Sequence, residues 1–386
     1  MSGEGFFRSR WVQRPAGLEE ADPAALAPGF RAAGAACGLK GSGGTDVGLL
    51  HCDAEAVASA VLLTRNASAA APVRVCRDSL DRSAVRSVAV NSGNANAETG
   101  RAGLADALAM QRAAAESLGV PPGRVAVAET GTIGVPLPIE SVRRGIREAA
   151  ARLSPAGGEE FAESIVTTDR WPKRCSLRWP GGALSAQAKG AGMIEPGFAT
   201  MLCFVQTDAL LAEPERELRE AASESFERIT VDGQMSTNDT VVLQSSGLGS
   251  EPLPDGLLRA VLTQLALEIV ADGEGSTRVG RVEVRGAADP EEAERVARAI
   301  GRSPLVKTAL FGRDPNWGRI AQAAGMALAG EELEEIGASS IEASELGSDA
   351  AEAEIALSLD RGAAATHLWF SDLGYEYVRV NAEYTT

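Results

Sequence analysis

The chain has 386 residues, of which 45% are apolar and 23% charged, as is typical of folded globular proteins. At roughly 150 residues per domain, this length predicts two packed domains. The formal charge of −16 predicts a surface that repels phosphate backbones and anionic lipid, which excludes nucleic acid and membranes as expected partners. The sequence contains neither a signal-peptide pattern nor an apolar run near the roughly 20 residues of a membrane span. We therefore expect a soluble, cytoplasmic protein.

Helical periodicity alternates with short β-rich runs along the chain, which predicts an α+β or α/β layered fold rather than a bundle or a sandwich. The predicted helices cover residues 104–118, 139–153, 213–228, 255–271 and 290–300. The predicted strands cover residues 87–91, 125–128, 175–179, 203–207, 240–244, 279–284, 353–359 and 377–380. The segment at residues 272–277 lies between a long helix and a strand, and it is the predicted domain junction.

The histidines and cysteines restrict the chemistry that the chain can perform. His51 and His367 belong to no HExxH or paired-histidine pattern, so a zinc hydrolase would lack its ligands. Neither lies near a GxSxG turn, so we expect the base of any hydrolase or transferase to be something other than imidazole. The five cysteines are never spaced as CxxC, which predicts buried free thiols and no metal site. They are Cys37, Cys52, Cys76, Cys175 and Cys203.

Small polar residues follow several predicted strands in arrangements that neither a core nor a plain surface requires. Residues 91–97 read NSGNANA and residues 129–134 read ETGTIG, and each taken alone is also typical of an ordinary turn. Thr130 and Gly131 directly follow an apolar strand, where a hydroxyl and backbone N–H groups can bind an oxyanion. Residues 167–169, TTD, fit either a turn after a helix or a loop that contacts substrate.

The segment at residues 189–205, KGAGMIEPGFATMLCFV, leads from a lysine through glycines and a proline to Thr200 and an apolar strand. Only four of the 37 basic residues are lysines, so we infer that Lys189 is retained for its compact ammonium. Thr200 fits an N-terminal nucleophile, whose hydroxyl attacks the preceding carbonyl and breaks the chain. The new α-amino group, with an ordinary pKa of about 8, then becomes the base. A threonine that merely begins a strand is the alternative on these residues alone.

In this order, the segments resemble the ornithine acetyltransferase family of arginine biosynthesis, which moves an acetyl group from N2-acetylornithine to glutamate. The resemblance extends from about residue 29 to residue 386. It implies an α+β layered fold of the N-terminal-nucleophile type, with a catalytic region at residues 1–275 and a smaller C-terminal α/β domain at 276–386. The motifs that carry it are SGNANAETG, TTD followed by PK, KGAGMIEPGFATML, DGQMSTNDT, DGEG, SPLVKTA, DPNWGR and NAEYTT.

The resemblance also implies roles for particular residues. Self-cleavage between Ala199 and Thr200 would give an α chain of residues 1–199 and a β chain that begins at 200. Thr200 would carry the acetyl group as an ester, and Thr130 with Gly131 would form the oxyanion hole. The implied substrate contacts, in which a lysine suits an α-carboxylate and a glutamate suits a δ-ammonium, are Thr167, Lys189, Thr200, Glu274, Asn381 and Thr386.

The resemblance implies small amino-acid substrates, no metal, and no cofactor, with acetyl-CoA as a co-substrate if the enzyme is bifunctional. It also implies that the α and β chains assemble as α2β2. Two other classes stay open: a self-cleaving aminopeptidase or amidase that hands the acyl group to water, and a non-catalytic binding protein on the same fold. A further alternative is an acetyltransferase that acts on a relative of ornithine in a specialised pathway.

Three residues depart from the family pattern. Glu129 stands where the family usually has a serine, and we expect its side chain to point away from the oxyanion hole. Gln234 replaces a more usual acid. Trp171 belongs to the pair of residues before Pro172 and Lys173, where a small residue followed by various side chains is usual. We expect the Trp171 ring to influence which length of substrate side chain is preferred.

Overall fold

The computed structural model describes residues 5–195, 201–331 and 336–383. Its strands are β1 (Glu19–Glu20), β2 (Phe30–Ala35), β3 (Val47–Cys52), β4 (Ala58–Leu63), β5 (Ser87–Asn94), β6 (Val125–Thr132), β7 (Lys173–Trp179), β8 (Gly182–Lys189), β9 (Leu202–Thr207), β10 (Ile229–Thr230), β11 (Thr240–Ser245), β12 (Val279–Ala287), β13 (Ile341–Glu342), β14 (Glu352–Ser358) and β15 (Ala364–Ser371). Its helices are α1 (Ala71–Ser79), α2 (Gly100–Leu118), α3 (Ile139–Ala151), α4 (Gly158–Ile165), α5 (Pro214–Ser223), α6 (Leu257–Ala271), α7 (Pro290–Arg302), α8 (Pro304–Gly312), α9 (Trp317–Ala327) and α10 (Tyr375–Glu383).

The strands form three sheets within the described residues. A six-stranded sheet has the order β1-β7-β8-β9-β11-β4, and a four-stranded sheet has the order β2-β3-β5-β6. A five-stranded sheet has the order β10-β15-β12-β14-β13. The strand β9 lies between an antiparallel neighbour, β8, and a parallel neighbour, β11.

The six-stranded sheet is buried on both faces, as its central strand β9 shows. Leu202 and Phe204 belong to the core that includes the four-stranded sheet, whereas Cys203 and Val205 belong to the core that includes α6. Successive strand residues point to opposite faces, so a continuous apolar run is what a doubly covered strand requires. Helices α1, α2 and α3 pack on the four-stranded sheet, and α5 and α6 pack on the six-stranded one. This stack confirms the predicted layered α+β fold.

The five-stranded sheet has its own core, in which apolar residues of β12, β14 and β15 pack against α7, α8 and α9. Most of its strands follow residue 278, but β10 joins its edge by parallel pairing with β15. The division of the chain near residue 275 stays a prediction.

Most predicted elements are present, but three differences have physical reasons. The predicted strand at residues 377–380 is wrong, because this segment lies in α10. Its β-branched and aromatic residues favour a strand only when a neighbouring strand is available for pairing. The predicted helix at 213–228 ends at Ser223, and Phe226–Arg228 form a 3-10 turn instead. Strand β8 was not predicted because its sequence, GALSAQAK, has little β-propensity.

Two expectations from composition can be compared with the structure. All five cysteines are buried and unpaired, which confirms the prediction of free thiols. Among residues 5–195, 201–331 and 336–383, the structure contains no helix long and apolar enough to cross a bilayer.

Candidate active site

The end of β6, the end of β8 and the C-terminal end of α6 meet at one cavity of about 130 Å³. Strand pairing sets Lys189 opposite Leu202, the first residue of β9. Six of the predicted site residues therefore lie around one space, whereas Ala199, Thr200 and Thr386 lie outside the described residues. The cavity is lined by Thr130, Gly131, Thr167, Thr168, Lys189, Gly192, Met193, Asp232, Gln234, Glu274, Tyr377 and Asn381.

The Thr130–Gly131 corner is held in a conformation that the sequence specifies. The Lys189 ammonium donates to Thr130 Oγ1 at 3.3 Å, which leaves the Thr130 hydroxyl proton available for another acceptor. Gly131 has φ +133°, and a Cβ there would lie 2.4 Å from the carbonyl carbon of Gly93. Only glycine fits at this position, and the corner can supply a hydroxyl and a backbone N–H to a developing negative charge.

Lys189 is a buried cation with no carboxylate within hydrogen-bonding distance among the described residues. Its ammonium is 3.9 Å from Asp169 Oδ2 and only 2% of the residue is exposed. Burial lowers the pKa of Lys189, the Lys173 ammonium lowers it further, and the carboxylate of Asp169 opposes both effects. A substrate carboxylate would therefore gain a charge-assisted hydrogen bond here.

A buried ion-pair network lies beside Lys189. Lys173 Nζ donates to Asp169 Oδ1 at 2.7 Å and to Asp272 Oδ2 at 2.6 Å. Asp169 also accepts the backbone N–H of Gly190 at 2.7 Å, which fixes the residue directly after Lys189. Burial would raise the pKa of Asp169, but Lys173 and Lys189 hold it below its usual range. The sequence marked TTD and PK as motifs without assigning this network.

Glu274 is oriented by two side chains that come from distant parts of the chain. Thr168 Oγ1 donates to its Oε1 at 2.9 Å, and Asn381 Nδ2 donates to its Oε2 at 2.8 Å. A side chain at Gly192 would place a Cβ 2.7 Å from the Glu274 carboxyl carbon, so glycine leaves room for that group. Thr168 and Tyr377 line the cavity, and neither was predicted as a site residue. The TTD motif was the available signal for Thr168, whereas Tyr377 lies outside the NAEYTT motif.

Two of the departures lie away from the cavity, and one lies on it. Glu129 is fully buried, and its carboxyl accepts from Asn91 Nδ2 at 2.6 Å and Asn96 Nδ2 at 2.9 Å. Burial raises the pKa of Glu129 to about 7. Its carboxyl therefore points away from the cavity, as expected. The Trp171 ring instead contacts the cationic groups of Arg170 and Lys173 and does not line the cavity, so its expected effect on substrate length finds no support. Gln234 lines the cavity.

A larger open groove of about 890 Å³ lies elsewhere, between residues 11–16, the start of α6 and β15. Its arginines are paired with neighbouring carboxylates, as in the contacts of Arg281 with Glu354 and of Arg259 with Glu224. Because the predicted motifs do not reach this groove, the smaller cavity is the candidate active site.

Neither histidine is placed to act in this site. His51 Nδ1 pairs with Ser87 Oγ at 2.8 Å. Ser87 is the first residue of β5, and Gly93, which pairs with Gly131, lies six residues further along that strand, a distance of about 20 Å. His367 lies in β15 and contacts the Trp369 ring. Burial lowers the pKa of both imidazoles to about 4.

Replacing His51 and His367 together with glutamine is expected to change the turnover of the enzyme by less than about 10-fold. A general base contributes roughly 100-fold to 10,000-fold, and these rings are too distant to serve as one. Steady-state rates of the folded double variant, checked for folding by thermal melting, make the comparison. A loss beyond about 100-fold with intact folding would restore imidazole as the base.

A buried lysine and an oriented glutamate beside an oxyanion-binding corner are suited to acyl transfer on a small amino acid. The chain matches the ArgJ family over residues 31–386. The arginine biosynthesis bifunctional protein ArgJ of Symbiobacterium thermophilum is 43% identical over 93% of this chain and 97% of its own. The protein of the same name from Thermosynechococcus vestitus is 39% identical over 98% of this chain and 100% of its own. The chain therefore belongs to the ArgJ family, which confirms the resemblance to ornithine acetyltransferases.

A solved ornithine acetyltransferase from Mycobacterium tuberculosis, complexed with ornithine, is 38% identical to this chain. It covers 46% of this chain and 97% of its own, with a TM-score of 0.43.

Proposed function

We propose that this chain transfers the acetyl group of N2-acetylornithine to glutamate, in arginine biosynthesis, through an acetyl ester on Thr200. The observation that carries the proposal is the placement of Lys189 and Glu274 on one cavity with the Thr130–Gly131 corner. Membership of the ArgJ family supports the same reaction. The relatives are named bifunctional, and we extend the proposal to acetyl-CoA as a second acetyl donor, with no bound cofactor.

Two charged side chains of the enzyme bind the two charged ends of the substrate. Lys189 binds the α-carboxylate, because it is a buried ammonium without a close carboxylate partner among the described residues. Glu274 binds the δ-ammonium of ornithine, because its carboxyl is fixed by Thr168 and Asn381 and borders the cavity. Thr167 and, from the C-terminus, Thr386 complete the proposed contacts.

The reaction follows from the proposed nucleophile. The Thr200 hydroxyl attacks the acetyl carbonyl and gives its proton to the α-amino group of the same residue. Thr130 and Gly131 stabilise the oxyanion of the tetrahedral intermediate. The amine of ornithine then leaves with the proton, and the acetyl group remains on Thr200 as an ester. Glutamate enters, its amine attacks the ester, and N-acetylglutamate is released.

The two chains made by self-cleavage remain together in this account. Strand β8 belongs to the α chain and β9 to the β chain, and they pair along their length in the six-stranded sheet. Breaking one peptide bond does not remove these hydrogen bonds or the shared core. We propose an α2β2 assembly of these chains in the cytoplasm.

Initial rates with N-acetylornithine and glutamate are expected to give the parallel lines of a ping-pong reaction, because the acetyl group waits on the enzyme between two half-reactions. The rate should rise with pH through about 8, since the α-amino base acts only after it has lost its proton. Intersecting lines would indicate direct transfer between bound substrates. Release of free acetate without an amine acceptor, at the rate of the full reaction, would indicate a hydrolase.

A further inference from the structure

Asp239 is a buried carboxyl that binds the residue following the proposed nucleophile. It belongs to the DGQMSTNDT motif, to which the proposed reaction assigns no role. It precedes β11, and none of its surface is exposed. Its Oδ1 accepts the backbone N–H of Met201 at 3.1 Å. That nitrogen is bonded to the carbonyl carbon of Thr200 in the chain, so the carboxyl lies one peptide unit from the residue proposed as nucleophile.

The two oxygens of this carboxyl differ in their hydrogen bonding to the described residues. Asp239 Oδ2 has no hydrogen-bond partner among the described residues, although a buried polar atom left without one costs free energy. Burial raises the pKa of Asp239 well above its usual range. The Met201 N–H, the hydroxyls of Ser236 and Thr64 as hydrogen-bonding groups, and the Lys189 ammonium oppose this rise. A carboxylate with a raised pKa is a stronger base than an exposed one.

A second carboxylate, that of Asp232, accepts hydrogen bonds with both oxygens from the backbone on the N-terminal side of residues 196–200. Asp232 accepts the backbone N–H of Met193 at 2.6 Å with one oxygen and that of Ile194 at 3.0 Å with the other. Described residues on both sides of 196–200 therefore donate to carboxylates, of which Asp232 is partly buried and Asp239 fully buried. Of these two, only Asp239 has an oxygen without a hydrogen-bond partner among the described residues.

The first cleavage needs a base that the mature enzyme does not need. Before the chain is cut, the nitrogen of Thr200 is part of an amide and cannot accept a proton as an amine does. Both histidines lie elsewhere, as shown above, and Lys189 has its ammonium donating to Thr130. Asp239 binds the N–H of the residue that follows Thr200, and its Oδ2 accepts no hydrogen bond from the described residues.

We propose that Asp239 is the proton acceptor for self-cleavage, an inference that rests on the proposed function of Thr200. Its carboxylate takes the hydroxyl proton of Thr200 as Oγ bonds to the carbonyl carbon of Ala199. The bond between that carbon and the Thr200 nitrogen then breaks, and the nitrogen takes the proton back. Water hydrolyses the resulting ester, which restores the hydroxyl and leaves a carboxylate on Ala199.

The test is the rate of self-cleavage in Asp239→Asn, followed by intact mass and denaturing gels from expression onward. Asparagine keeps an oxygen that can accept the Met201 N–H, so a merely structural role would survive the change. Loss of the base is expected to slow cleavage by at least about 100-fold. Asp239→Ser, which is smaller and also keeps an oxygen acceptor, is expected to behave the same way if Asp239→Asn fails to fold.

Asp208→Asn is the matched control, because Asp208 is a buried carboxylate at the other end of β9 whose Oδ1 accepts the N–H of Ala183 at 2.7 Å. This control should be cut at the wild-type rate. A folded Asp239 variant that is also cut at that rate would overturn the proposal. Thr200→Ala distinguishes a failure of the role of Asp239 from a failure of the proposed nucleophile. If Thr200→Ala remains uncut while Asp239→Asn is cut at the wild-type rate, only the role of Asp239 is wrong. If Thr200→Ala is itself cut at that bond, the proposed function fails with it.

Discussion

Thr200→Ala is expected to remain a single chain of 386 residues and to lose acetyl transfer completely. Alanine has no hydroxyl, so neither the attack on the Ala199 carbonyl nor the acetyl ester can form. The wild type should instead give fragments of 199 residues and of 386 minus 199, or 187, residues. Denaturing gels with intact mass distinguish the two outcomes.

Thr200→Ser serves as the control for this variant, since serine keeps the hydroxyl and should still be cut. The two fragments of the wild type should elute together in native gel filtration, because β8 and β9 pair across the break. Cleavage of Thr200→Ala at the same bond would show that another residue is the nucleophile.

Lys189→Met is expected to lower catalytic efficiency roughly 10-fold to 150-fold on every acetylated amino acid. The lysine is proposed to bind the α-carboxylate that all such substrates share, and a buried charged hydrogen bond contributes about 1.5 to 3 kcal/mol. Glu274→Gln should cause a loss of the same size on N-acetylornithine only, because it removes the partner of the δ-ammonium. An acetylated amino acid without a side-chain amine should be used by Glu274→Gln as well as by the wild type.

Glu376→Gln is the matched control for Glu274→Gln, since Glu376 is an exposed carboxylate of α10 that pairs with Arg379. It should not change either efficiency. Acetylated diamino acids of three, four and five carbons then measure side-chain length. The site would not select ornithine if the wild type used all three with equal catalytic efficiency and if Glu274→Gln lost the same efficiency on substrates with and without a side-chain amine.

The sequence predicted the parts of the site that lie at strand ends. Thr130 and Gly131 follow an apolar run, so local pattern placed them at the end of a strand. Lys189 was marked only as a retained lysine before a glycine-rich segment, because the strand that it ends, β8, was not predicted. The grouping of these residues with Thr167, Glu274 and Asn381 around one cavity came from the resemblance to the family and not from local pattern.

The partners of these residues were not predictable from local pattern. Lys173 pairs with Asp272 across 99 positions, and Glu274 meets Asn381 across 107. Contacts of that range depend on how sheets and helices pack, and no periodicity encodes them. Residues 377–380 of helix α10, the helix that also carries Asn381, were predicted as a strand, because their exposed side chains have a composition that a sheet would also accept.

The central claim is that Thr200 carries the acetyl group, and the mass of the chain that begins at residue 200 tests it most directly. The purified enzyme is mixed with N-acetylornithine, without glutamate, and quenched in acid. The account predicts that this chain gains the mass of one acetyl group, that peptide mapping places the group on Thr200, and that added glutamate removes it as N-acetylglutamate. An unmodified chain under conditions in which glutamate is readily acetylated would contradict the account.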